Sequence, residues 1–219
     1  SGPSTQAMAL EVSAVPASAS RSVMAELLLA IGELERAETL YRELAQESPM
    51  DPNFPAALGT IALRRGNHDE ALEKWKRAMD RGVSDATICY RYATLAGDAG
   101  LSANEIRPAL QRAINLKPDF DDARYTLALL ESNAGNYDAA IAQLHAMRSI
   151  APVRAYAYWS ALAYALNELG KRDQSVAAAQ HAMKYASTPA ERSNAAQLAY
   201  IAQTDLTVQF TRDANGHTQ

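Results

Sequence analysis

The stretch Leu58–Ala78, LGTIALRRGNHDEALEKWKRA, decides the fold. Ahead of Gly66, Leu58, Gly59 and Ala62 recur at helical spacing. Behind it, Ala71, Trp75 and Ala78 form an i, i+4, i+7 stripe, while Lys74, Lys76 and Arg77 fall on the opposite, solvated face. Gly66 breaks the first helix, and Asn67 with Glu70 three residues on reads as a capping-box start for the second. Gly32, Gly100, Gly135 and Gly170 stand at matching places, separated by steps of 34, 34, 35 and 35 residues. A fixed period of that size marks a stacked repeat architecture, in which one helix pair buries its apolar stripe only against its neighbours.

Upstream, helices split at Gly32 carry Met24, Leu28 and Leu29, then Ala37, Leu40, Tyr41 and Leu44, and end at Pro49, Asp51 and Pro52. Asn53 is expected to cap the next helix, with Phe54 and Pro55 in its first turn, where a proline costs little. Downstream, the third pair has Cys89, Tyr92, Ala93 and Ala96, then Leu110, Ala113 and Leu116 before Pro118. Its second helix begins near Ser102 with Glu105 as box partner. Pro108 predicts a kink or a start delayed to about Asn104, and an irregular turn there. The fourth pair carries Leu127, Ala128 and Leu130, then Ala140, Leu144 and Met147; the fifth carries Trp159, Leu162, Ala163 and Leu166, then Val176, Ala179 and Ala182. Thr188, Pro189 and Glu191 supply a cap, an N1 proline and an N3 glutamate for one more helix, running to about Gln203 as a solvating terminal cap. Leu206, Val208 and Phe210 then alternate toward a turn at Asn215-Gly216, half of a hairpin.

The organisation expected is therefore a flexible segment over 1–17, an array over 18–187, a capping helix over 188–204, and an extended or disordered tail over 205–219. The hairpin with its second strand missing reads either as a chain that continues beyond Gln219 or as a disordered tail. Repeats are placed at about 18–51, 52–85, 86–119, 121–154 and 156–187.

Composition narrows the function. A formal net charge of -4 lacks the basic footprint of a nucleic-acid binder. No apolar run reaches the length of a membrane span, and the N-terminus has neither the positive region nor the apolar core of a signal peptide. The compartment stays open. A single cysteine, Cys89, excludes an internal disulfide and falls on a buried stripe without a base beside it, so it reads as a small core hydrophobe. His68, His145, His181 and His217 are scattered, none at metal-ligand spacing. Asp119, Asp121 and Asp122 sit where a helix begins and suit its positive end. With no phosphate loop, serine elbow or zinc motif, no enzyme, metal or cofactor is expected.

These residues resemble the tetratricopeptide repeat family, whose pattern is W-x2-L-G-x2-Y in the first helix and A-x3-F, then A and P, in the second. Matches are Leu58-Gly59, Ala71-x3-Trp75 and Ala78; Ala37-x3-Tyr41 and Pro49; Ala93, Leu110, Ala113 and Pro118; Leu127-Ala128, Ala140-x3-Leu144 and Pro152; and Trp159-x2-Leu162-Ala163 with Ala182. Ile106 and Ser175 depart from the small Ala, and Val83 and Ser187 from the Pro. The resemblance covers about residues 18–187. It implies an all-α fold, an α-α superhelix (TPR solenoid) of five helix-turn-helix repeats plus a C-terminal capping helix.

In that family the first helices line a concave groove for extended peptides or partner helices. Carried over, the groove presents Asn53, Ala56, Thr60, Arg64, Tyr90, Thr94, Asp98, Asp122, Tyr125, Leu129, Asn133, Ser160, Tyr164 and Asn167. Asn offers donors and acceptors to a peptide backbone, and Tyr a flat apolar face with a polar tip; packing between helices is the competing account of the three tyrosines. The Lys, Asn and Arg with which some members clamp a chaperone's C-terminal carboxylate are replaced here by Ser22, Glu26, Ala56, Thr60, Tyr90 and Thr94. The implied function is a non-catalytic protein-interaction scaffold for a protein or peptide ligand, without nucleic-acid or membrane partners. The alternatives are a docking arm of a larger polypeptide whose activity lies elsewhere, and self-association through the groove or cap.

Overall fold

A computed structural model describes the backbone of residues 17–214 and the side chains of residues 18–204. Among these residues the chain is all helix and turn: α1 (Ala17–Ile31), α2 (Leu34–Glu47), α3 (Asn53–Arg64), α4 (His68–Asp80), α5 (Ala86–Asp98), α6 (Ala103–Leu116), α7 (Asp121–Asn133), α8 (Tyr137–His145), α9 (Pro152–Glu168), α10 (Arg172–Tyr185) and α11 (Pro189–Ala214). Two compact units divide it, one ending at Val83 and one beginning at Ser84. The first holds the pairs α1/α2 and α3/α4; the second holds α5/α6, α7/α8 and α9/α10, with α11 packed on α10 and α9. Odd-numbered helices are the A helices of their pairs and even-numbered ones the B helices.

The turn inside each pair is made by the backbone. Gly66 has φ +79, the left-handed region open to glycine. Its N–H donates to the Leu63 carbonyl and the Asn67 N–H to the Ala62 carbonyl, both at 2.9 Å, closing a Schellman motif. The same two bonds recur after Gly32, Gly100, Gly135 and Gly170. The Asn67–Glu70 capping box is therefore not formed: the Asn67 side chain makes no capping bond. A sixth such turn, at Gly82, takes the place of the expected proline in the second repeat; the Val83 N–H donates to the Ala78 carbonyl and the Val83 side chain is buried.

Core positions follow the stripes. In the first unit Ala25, Leu28, Ala37, Tyr41, Leu44, Phe54 and Ile61 form one cluster. Ala71, Trp75 and Ala78 are fully buried. The second unit buries Cys89, Ala93, Leu110 and Ala113, and a cluster built on Ala140, Leu144, Tyr158, Leu162 and Ala179. Two departures from the repeat pattern have local explanations. Ser175 is buried but its hydroxyl donates to the Ala163 carbonyl at 2.7 Å, so it occupies the space of Ala with no unpaired group. Ser187 donates its N–H and hydroxyl to Glu191, extending the cap of α11, whose Thr188–Glu191 box forms as expected.

Several boundaries differ from expectation. Asn53 is the first residue of α3, and its N–H is received by Asp51 Oδ1 at 2.9 Å, so Asp51 does the capping assigned to Asn53. Helix α6 starts at Ala103, without delay to Asn104, and runs through Pro108. Pro108 and Asn104 are both exposed, so the carbonyl that loses its helical partner faces water. The irregularity is one additional residue between Gly100 and α6, where Glu105 accepts from the Ser102 N–H and hydroxyl at 3.1 and 2.8 Å.

Helix α8 stops at His145, short of Met147. Asp121 at the start of α7 accepts the N–H groups of Arg148 and Ser149 at 2.9 and 3.0 Å and the Ser149 hydroxyl at 3.0 Å. Pro152 accordingly opens α9 at its first turn instead of closing the fourth repeat. Helix α11 continues to Ala214, so residues 205–214, expected as an extended or disordered tail, are helical. A five-residue apolar alternation is ambiguous between periods, and propagating a formed helix is easier than nucleating a strand. The segment 1–16 and the turn at Asn215-Gly216 lie outside the described residues.

Helix α1 departs from the core pattern most. Met24, expected in its stripe, is exposed, as are Val23, Leu27 and Ile31, with Leu27 54% accessible. One repeat later, Ile61 occupies the place of Leu27 and is 1% accessible, packed in the cluster that α2 contributes to.

Candidate functional site

The groove residues of the first unit are engaged locally. Asn53 is exposed at the start of α3. The Thr60 hydroxyl donates to the Ala56 carbonyl at 3.1 Å, and the Arg64 guanidinium reaches the Leu29 carbonyl. In the second unit, Tyr90 on α5 is half-buried with its ring 4.9 Å from that of Phe120, and the Thr94 hydroxyl returns to the Arg91 carbonyl at 3.0 Å. Asp122 and Arg154 form an ion pair joining α7 to α9, and the Arg154 guanidinium lies 5.1 Å from the centre of the Tyr125 ring. Tyr125 also packs against the core cluster. Asn133 is exposed at the end of α7. Tyr90 and Tyr125 thus carry a packing role as well as a half-exposed face.

Tyr164 and Asn167 are different. With Tyr156, Ser160 and Glu168 of α9 they line one wall of a cleft of about 460 Å³, and Asn194, Gln197, Leu198 and Ile201 of α11 line the other. Positions 156, 160, 164 and 167 lie on one face of α9, and 194, 197, 198 and 201 on one face of α11. The structure brings Tyr164 and Asn167 together in this cleft, whose lining includes neither Asn133 nor Thr94 of the same unit. The α11 wall was missed because that helix reads as a solvating cap. The 194/197/198/201 spacing was the signal available, had the helix been taken as the A helix of a further half-repeat.

Two residues of the α9 wall carry unpaired polar atoms. Ser160 Oγ and Asn167 Oδ1 are buried atoms without a hydrogen-bond partner. Buried polar groups are nearly always paired, so two unpaired ones on residues lining one cleft stand apart from the rest of the described chain. At the rim Tyr164 meets Tyr137 of α8 edge-on, with centroids 6.0 Å apart. A hydrogen bond with Tyr164 first, then burial and the Glu168 carboxylate, push the Tyr137 hydroxyl up to about 12. Glu168 is the one charged side chain among those lining the cleft. The opposite face of α9 is structural: Tyr158 is buried and Trp159 stacks on His181 at 4.3 Å.

Among the described residues no group of three or more His, Cys, Asp or Glu is placed to hold a metal ion. Cys89 is fully buried, and burial pushes its thiol up, away from the reactive thiolate. No helix of the described residues is long and apolar enough to cross a membrane.

No protein-family model matches the chain. The peroxisomal targeting signal receptor of Kluyveromyces lactis is 28% identical over 107 residues, 48% of this chain and 19% of that protein. Cellulose synthase 2 operon protein C of Komagataeibacter xylinus is 30% identical over 165 residues, 72% of this chain and 12% of that protein. The chain therefore spans a fifth or less of the length of these curated relatives. Among solved structures, YrrB, described as a TPR protein with an unusual peptide-binding site, superposes with a TM-score of 0.68 at 19% identity, over 81% of this chain and 90% of that one. MamA superposes at 0.60 with 21% identity, over 77% and 91%. A tetratricopeptide repeat protein from Parabacteroides merdae does so at 0.60 with 19% identity, over 89% and 79%. At these identities the likeness is one of fold.

Proposed function

We propose that this tetratricopeptide-repeat protein is a non-catalytic interaction scaffold that holds an extended peptide or a partner segment on the A-helix face of its second unit. The observation that carries the reading is the α9/α11 cleft, where Tyr164 and Asn167 converge with Ser160 around two unpaired buried polar atoms. Such a surface offers an apolar ring face for a side chain and carboxamides for a backbone, as a peptide site requires. YrrB, one of the solved structures on which the chain superposes, is named for a peptide-binding site, which accords with this use of the fold.

The test is site-specific photo-crosslinking in the source lysate, with p-benzoylphenylalanine at Tyr164 or at Gln180, an exposed position on α10. A partner captured at Tyr164 and not at Gln180 supports the reading. Capture at Gln180 alone moves the interaction to the B-helix face and overturns it.

A docking arm is the second reading, favoured by the exposed apolar stripe Val23, Met24, Leu27 and Ile31 on α1. Each later A helix of either unit that follows a B helix within its unit is packed against that B helix. In this reading a helix of a neighbouring domain covers α1 as α2 covers α3.

A further inference from the structure

We propose that the α9/α11 cleft selects a peptide segment carrying a basic side chain, lysine or arginine, and rejects an acidic one. The inference rests on the scaffold reading and gives its site a chemistry.

Three observations converge. Asn167 lines the cleft and its Oδ1 is a covered acceptor with no donor, so a ligand toward which the carboxamide turns completes it by bringing an N–H or O–H. Ser160 Oγ, also unpaired, can accept from the same ligand or donate to its backbone carbonyl. The lining holds one charge, the carboxylate of Glu168, and no cation; Tyr156, Ser160, Tyr164, Asn194 and Gln197 are neutral. An ammonium or guanidinium group entering here meets a carboxylate, amide oxygens and the face of Tyr164, each favourable to a cation. A carboxylate meets repulsion from Glu168 and an unmatched acceptor at Asn167. The discrimination comes as much from what the cleft lacks as from what it offers.

The apolar part of the same ligand has a place as well. Leu198 and Ile201 form the apolar side of the α11 wall, with Leu198 packed against the core cluster. They suit the methylene stem of a lysine or arginine whose charged head reaches Glu168 at the rim. The cleft therefore matches one long cationic side chain on a backbone whose amides meet Asn167 and Asn194.

Acetylated, amidated five-residue peptides, alanine except for a central lysine, leucine or glutamate, test this against the full chain. Each is titrated to about 10 mM while the backbone and carboxamide signals of Asn167 and Asn194 are followed by NMR. The expected result is a saturable shift of both residues by the lysine peptide, at least about tenfold tighter than by the glutamate peptide. The exposed-site variant Glu168→Gln should bring the three peptides to within about threefold of one another. Asn194→Lys, also at an exposed position, should abolish lysine-peptide binding with thermal melting unchanged.

Equal affinities for lysine and glutamate peptides, no saturable shift at Asn167, or a preference untouched by Glu168→Gln would each overturn the proposal. A partner still captured at Tyr164 under those outcomes would leave the scaffold reading standing. Capture at Gln180 alone, with lysine selectivity intact, would remove the scaffold reading while leaving the cleft's chemistry.

Discussion

The indole of Trp75 packs against Gly59, close enough that a Cβ on Gly59 would sit 2.5 Å from Trp75 Cδ1. Trp75 is fully buried and its Nε1–H donates to the Ala56 carbonyl at 3.1 Å, so the ring has no room to retreat. Two helices of the second repeat meet through this contact: a missing side chain on α3 is the socket for the largest side chain on α4.

Gly59→Ala separates packing from helix propensity. Alanine in a helix interior is favoured over glycine by roughly 1 kcal/mol. Forcing a methyl group into a closed contact costs roughly 1–3 kcal/mol, and the rigidity of the anchored indole places this site at the upper end. The variant should be less stable than the parent in urea denaturation. A gain in midpoint would show that the indole can move.

Leu27 and Ile61 occupy the same place in successive repeats but differ in environment, 54% against 1% accessible. Ile61→Ala should cost about 2–5 kcal/mol, the range for a buried large-to-small change. Leu27→Ala should stay within about 0.5 kcal/mol. Equal losses in the two variants would mean that α1 is covered in solution.

Arg107 and Glu131 tie α6 to α7 by two bonds of 2.5 and 3.2 Å, with Glu131 6% accessible and also receiving the Asn136 carboxamide at 2.7 Å. The Arg107 guanidinium holds the Glu131 carboxyl below its ordinary value of 4.5. A carboxyl depressed in the folded state stabilises the fold above its unfolded value, and that contribution is lost as pH falls from about 4.5 downward. Arg107→Ala should cost roughly 1–3 kcal/mol at neutral pH and flatten the acid limb of the stability curve. An acid limb of unchanged steepness would count against the pair.

Tyr41 behaves in the opposite sense. Burial, with the Glu26 carboxylate adding to it, pushes its hydroxyl up to about 12 from an ordinary 10.0. The neutral form is favoured in the folded chain, so its contribution is complete below pH 10 and is lost as pH rises from 10 toward 12. Stability should decline across that window by up to about 1.4 kcal/mol per pH unit for this group. Tyr41→Phe should remove that part of the decline, and parallel curves for the two proteins would refute it.

Asp121 predicts a change in dynamics. Its carboxylate holds the amides of Arg148 and Ser149, and although burial pushes it up, those donors keep it below the ordinary aspartate value. Asp121→Ala should raise the exchange rates of the Arg148 and Ser149 amides while leaving those of Leu144 unchanged. Unaltered exchange would show that the 146–151 connection is held by its own packing.

Local chemistry explains what could be read in advance. The five glycines, the Ala71–Trp75–Ala78 stripe and the Thr188–Glu191 cap act within one or two turns of chain, and they place the helix pairs without reference to anything distant. The misreadings came from competition between local signals. Asn67 looked like a cap, but the glycine motif had already taken its N–H. Pro152 looked like a terminator, but it serves equally as a first-turn proline. The alternation at Leu206–Phe210 fits i, i+4 as well as i, i+2.

The sequence by itself therefore determined the helix pairing, the repeat length and the buried Ala71–Trp75–Ala78 stripe, because each follows from a periodicity that one helix imposes on its own side chains. Tertiary structure decided what faces what across repeats. Asn167 and Asn194 share a cleft because α11 packs beside α9. Glu131 is buried with Arg107 because α7 lies on α6. Met24 is exposed because nothing in the described chain lies on that side of α1. Those outcomes depend on which surface a second helix covers, a property of pairs of helices that no single helical stripe contains.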